Sequence, residues 1–86
     1  MMKRTVYKVV HASPDENQSG TFHYITCLEV QSAIRVAKVM REERGTEYHI
    51  AVELHHEFKR EDENEWGWHA DWESFPNDAI QHVDYY

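Results

Sequence analysis

Apolar and polar positions alternate along this chain with two different periods. Val30, Ala33, Ile34, Ala37 and Met40 follow the spacing of one helical face. The run Thr26-Cys27-Leu28-Glu29 fits a capping box, with Thr26 as N-cap and Glu29 reaching back to its N–H. Ile25 and Val30 then stand at the two positions of a hydrophobic staple. Lys38, Arg41 and Arg44 complement the negative end of the helix dipole, and Gly45 stops the helix. The pattern predicts a helix from Cys27 to Arg44.

The other segments read with a period of two. Thr5 to His11 is β-branched and aromatic and predicts a strand. Ser13 to Gly20 carries Pro, Asp, Asn, Ser and Gly and predicts a loop; Thr21 to Ile25 returns as a second strand. From Glu47 to Phe58 the alternation puts Tyr48, Ile50, Val52, Leu54 and Phe58 on one face. Glu47, His49, Glu53, His55 and Glu57 share the other, which predicts a half-buried strand with one wet face; His56 is out of place on the apolar side. Lys59 to Glu65 reads as a hairpin loop and Trp66 to Trp72 as a strand with three tryptophans on one side. Pro76 to Asp78 turns the chain, and Ala79 to Tyr86 is a last strand. The expected architecture is a single α+β domain over residues 1–86. It is an antiparallel sheet of four to five strands with one amphipathic helix, in the order β-β-α-β-β with a further β at the end.

Composition agrees with a folded chain: 41% hydrophobic and 13% aromatic residues are too many for intrinsic disorder. The start Met1-Met2-Lys3-Arg4 is basic, but Tyr7 and Lys8 interrupt the strand-like run from Thr5 to Val10, so no signal-peptide core forms. No stretch approaches the roughly 20 apolar residues of a membrane span. Cys27 is the lone cysteine and signals no oxidising compartment. A cytoplasmic protein without membrane contact is expected. Cys27 at a helix start invites a lowered thiol pKa, yet a small, partly buried apolar role suits it better.

Charge changes the picture most. Residues 1–44 hold seven Lys/Arg and five Asp/Glu, net +2, and residues 45–86 hold two and eleven, net −9. An acidic surface repels nucleic acid and anionic membranes and attracts basic proteins, although acidity also serves solubility alone. Tryptophan and tyrosine dominate binding hot spots, and Trp66 at the entrance of its strand is expected to be exposed. Its neighbours Glu65, Asp71 and Glu73 are not the basic residues that a nucleic-acid groove interleaves with aromatics. Arg35, Lys38, Arg41 and Arg44 on the helix are offset by Glu29, Glu42 and Glu43, a solvated mixed face.

Seven histidines raise a metal reading, with His49, Glu53, His55 and His69 as candidate ligands on adjacent strand faces. The spacing lacks the helical i, i+4 pair and the paired cysteines of specific zinc motifs. His55 with Glu53 or Glu57 is an acid–base pair in principle, but no nucleophile, oxyanion site or Gly-rich phosphate loop accompanies it. No enzyme and no cofactor are expected.

In size, acidity and one helix packed on a short antiparallel sheet, the whole chain resembles the small inhibitor proteins of bacteriophages, the anti-CRISPR proteins among them. The resemblance implies a non-enzymatic inhibitor in the host-cell cytoplasm that occupies a basic, nucleic-acid-binding surface of a bacterial effector. Glu61, Asp62, Glu63, Glu65, Asp71 and Glu73, with Trp66, would then face the partner. The alternatives are an acidic interaction module or homodimer pairing an exposed sheet edge, and a His/Glu metal-binding protein.

Overall fold

A computed structural model describes residues 2–62, 64–66 and 80–86. The elements are β1 (Met2–Ala12), α1 (Pro14–Ser19), β2 (His23–Cys27), α2 (Val30–Arg44), β3 (His49–Lys59) and β4 (Ile80–Tyr85). The strands form an antiparallel sheet in the order β2-β1-β3-β4, so the expected α+β class holds. The final strand also forms where the alternation put it. The segment from Gly67 to Trp72, expected as a strand, and the turn at Pro76 to Asp78 lie outside the described residues.

Strands β1 and β3 make the long central ladder, running from Met2 opposite Lys59 to Ala12 opposite His49. Tyr7 and Val9 of β1, with Ile50 and Val52 of β3, meet α2 through Ala33, Ala37 and Met40. Two alanines at the helix contact let the backbone approach the sheet closely, and Val9, Ala33 and Ala37 are completely buried. Burying each Val or Ile side chain here contributes roughly 1.5–3 kcal/mol. Of the expected helical face, Val30 is exposed, and Val36 packs against the core.

Two local expectations are corrected. The helix begins at Val30, with Glu29 as an N-cap that makes no side-chain capping bond. Thr26 and Cys27 are instead paired with Lys8 and Tyr7 in the β1–β2 ladder, and Cys27 packs against the core. Ladder bonds and that burial outweigh a local Thr-x-x-Glu signal, and Ile25 and Val30 no longer occupy staple positions. The capping box exists elsewhere, in the segment read as loop. Ser13 Oγ accepts from the Glu16 N–H at 3.2 Å, and the Glu16 carboxylate accepts from the Ser13 N–H at 2.9 Å. Pro14 at the first helical position completes the start, and Gly20 at φ 76° ends α1 in the left-handed region. The domain therefore has two helices, one of them long.

At the other end of α2 the expected stop is present. Gly45 donates its N–H to the Arg41 carbonyl at 3.1 Å, with φ 84° and ψ −177°, a conformation reached in practice only by glycine.

Candidate functional site

The face of the sheet away from α2 differs most from expectation. Strand alternation puts Arg4, Val6, Lys8, Val10 and Ala12 of β1 there, opposite Glu57, His55, Glu53, Ala51 and His49 of β3. This face was expected to be wet. His55 is 0% exposed, Glu57 4% and Lys8 6%, with Val6, Ala12 and Ala51 at 0%. Glu57 tolerates burial because β1 supplies two counter-charges: Lys8 Nζ stands 2.8 Å from its Oε2, and Arg4 donates from Nη2 at 2.7 Å and from Nε at 2.9 Å to its Oε1. Burial alone pushes the Glu57 pKa up, and the bonds and charges of Lys8 and Arg4 more than reverse it, leaving it below the ordinary carboxylate value.

His55 Nε2 is 2.8 Å from Glu53 Oε1; since a carboxylate only accepts, the Nε2 hydrogen points at Glu53. Burial lowers the His55 pKa, and the Glu53 carboxylate opposes this only in part. The imidazole is thus neutral near pH 7, and its complete burial keeps it from solvent. Of the two carboxylates considered as its partner, Glu53 is the one it meets; Glu57 is committed to Lys8 and Arg4.

The metal candidates separate along the strand. At about 3.3 Å per residue, His49 lies about 20 Å from His55, and its ring contacts Phe22 and Tyr85, with centroids 5.4 and 5.9 Å away. His69 lies outside the described residues. Among the described residues, no three His, Cys, Asp or Glu side chains are arranged to hold a metal ion, and no pocket opens.

The same ionic ladder anchors the chain beyond β3. The Arg4 guanidinium carbon stands 4.6 Å from the centre of the Trp66 ring, and Lys59 Nζ stands 5.1 Å from it. Each such cation–π contact contributes about 0.5–1 kcal/mol at a partly exposed site. Trp66 is half-buried, whereas an exposed side chain was expected; the two cations stand against its ring. Between Lys59 and Trp66 the chain turns, and Glu61, Asp62 and Glu65 are all exposed. The structure thus brings four of the seven expected contact residues into one feature, an acidic turn pinned to the sheet by a tryptophan. Glu63, Asp71 and Glu73 lie outside the described residues.

A second polar cluster joins β1, α1 and β2. The rings of His11 and His23 stack with centroids 5.4 Å apart, His23 Nε2 bonds the Glu16 carboxylate, and Arg44 reaches His11 Nδ1 at 3.4 Å. The Ser13 N–H, then His23, lower the Glu16 pKa to about 2. Burial, together with Arg44 and His23 in that order, lowers that of His11.

Arg44 also covers the Tyr48 ring at 5.4 Å, and Arg41 donates to the carbonyls of Gly45 and Tyr86. Half of the helical cations are therefore engaged within the fold, while Arg35 and Lys38 are exposed. Lys8 and Arg4 are the residues of this arrangement that the sequence pattern did not single out. The signal for them was the alternation Val6, Lys8, Val10, Ala12, which puts a lysine in the middle of an otherwise apolar strand face.

No helix among the described residues is long and apolar enough to cross a membrane. No family model, curated protein or solved structure matches the chain.

Proposed function

We propose that this protein is a non-enzymatic binding protein that presents the acidic turn after β3 to a basic, nucleic-acid-handling protein and inhibits it. This is the mode of the small phage inhibitors that the chain resembles. One observation carries the reading: Glu61, Asp62 and Glu65 are exposed beside a tryptophan held by Arg4 and Lys59. Carboxylates on an anchored turn take the place of phosphates on a Lys/Arg surface. Long-range attraction speeds encounter, and the anchor limits the ordering entropy lost on binding. The complete burial of His55, whose Nε2 is turned to Glu53, favours binding over acid–base chemistry at that imidazole.

The test uses the full chain as bait in bacterial lysate, beside the variant Glu61→Gln/Asp62→Asn/Glu65→Gln. A basic protein retained by the wild type, released by added duplex DNA and by salt, and lost from the variant supports the proposal. Equal retention by both baits, indifference to DNA, or no specific partner refutes it.

A further inference from the structure

We infer that β2 is a self-pairing edge, through which two copies of this chain join antiparallel about a two-fold axis at Ile25 and make one continuous sheet across the dimer.

Among the described residues the sheet order leaves β2 and β4 as its two edges, and the edges differ in how they are protected. Edge strands that stay single carry charges, proline or a bulge that turn a second strand away. Strand β4 carries Asp84, and the register between β3 and β4 shifts at Leu54/His55. Strand β2, His-Tyr-Ile-Thr-Cys, has no charged residue, no proline and no register shift against β1. Among the described residues, only β1 pairs with it.

Charge decides which occupant fits. At a net charge of −7 two copies repel each other, so self-association needs the part of the surface where fewest like charges meet. Residues 17–28 form the longest run without Asp, Glu, Lys or Arg, 12 residues, and β2 lies inside it. A basic partner would gain nothing from this neutral edge over the acidic turn. A second copy gains from it most.

Apolar side chains flank the strand. Ile25 is 37% exposed, Leu28 66% and Val30 39%. Ile25 is in register with Val9 and so shares the α2 side of the sheet. With the axis at Ile25, the two Ile25 side chains meet on the α2 side, and His23 faces Cys27 of the copy. Such an interface is isologous: the same strand edge serves both partners. It uses none of the acidic-turn residues, so it stands or falls separately from the proposed binding function.

Sedimentation of the full chain from micromolar to millimolar concentration tests the inference. A monomer–dimer equilibrium is expected. Ile25→Lys, which puts two ammonium groups across the axis and removes two buried isoleucines, should weaken it about 100-fold or more while the circular dichroism spectrum stays unchanged. Because that variant reports only a loss, Ile25→Cys/Cys27→Ala supplies a gain. Directly opposed residues lie within disulfide reach, so oxidation should give a covalent dimer, whereas Ser32→Cys/Cys27→Ala on α2 should not. A monomer at all concentrations, a dimer indifferent to Ile25→Lys, or equal cross-linking by both cysteine variants would overturn the inference.

Discussion

Replacing Glu57 by glutamine keeps the side chain's shape and removes the charge that holds Lys8 inside the sheet. Glu57 is 4% exposed and Lys8 6%, so neither reaches water without moving the strand. Breaking a buried pair by removing one partner costs about 3–5 kcal/mol, because a buried charge is left uncompensated. Glu53 stands opposite Lys8 in the β1–β3 register and softens the loss, which places Glu57→Gln at about 3 kcal/mol. Lys8→Met is milder, about 1–2 kcal/mol, since Glu57 keeps both bonds from Arg4. In the double variant the buried ammonium is gone as well, and Arg4, with a side chain 33% exposed, turns to water. That variant should lie within about 1 kcal/mol of Lys8→Met alone, a non-additivity of about 2 kcal/mol. Urea unfolding reads the series: at a slope of about 1 kcal/mol per molar for a small domain, Glu57→Gln moves the midpoint by about 3 M. Strict additivity of the two single effects, or a loss below about 0.5 kcal/mol for Glu57→Gln, would refute the buried-pair argument.

Acid should destabilise the domain in two stages. His55 and His11 have pKa values below the ordinary 6.5 in the fold, so as pH falls below 6.5 the unfolded chain takes up protons that the folded chain resists, and stability drops. Glu57 and Glu16 are depressed instead; their contribution is complete above 4.5 and is lost below it, for Glu16 down to about pH 2. Urea midpoints that stay flat from pH 7.5 to pH 5.5 would contradict the first stage. Gly45→Ala meets no atom within 4 Å of the added carbon, yet should cost about 1–3 kcal/mol through its backbone conformation alone. Gly20→Asn, in the ordinary left-handed region, should cost less than half as much in the same thermal-unfolding assay, and equal losses would remove the backbone explanation.

What was legible in the sequence is what an apolar pattern decides without knowledge of the neighbouring strand. Helix α2 shows its core stripe at Ala33, Ala37 and Met40 because its far face is wet, and Gly45 marks its end. The apolar side of β3 was legible because its polar residues alternate with it, whether or not they are solvated, and β1 was legible as a strand from its β-branched run. The burial of the face that β1 and β3 share was not, because hydropathy cannot say whether a charged residue has a partner. Lys8, Glu57 and His55 look solvated one strand at a time and become interior residues only when β1 lies beside β3. The two Ser/Thr-x-x-Glu signals show a similar limit. Thr26–Glu29 and Ser13–Glu16 are equally good locally. Only tertiary pairing, Thr26 with Lys8 and Cys27 with Tyr7, removes the first and leaves the second to form.

Pairing β1 with β3 also changes what the charge asymmetry means. Along the chain, a basic first half precedes an acidic second half; in space, the basic start of one lies against the acidic end of the other. Glu57 is buried and neutralised by Arg4 and Lys8, so it presents no carboxylate to a partner, and Glu53 is turned to His55. Arg4 and Lys59 use their remaining reach to clamp Trp66. Among the described residues, the exposed carboxylates at the turn are Glu61, Asp62 and Glu65. Their place on one turn makes the functional proposal local. If the acidity serves only solubility, neutralising any three exposed carboxylates has the same effect; if the turn is the contact, neutralising Glu61, Asp62 and Glu65 abolishes capture, and neutralising Glu42, Glu43 and Glu47 at the far end of α2 leaves it intact.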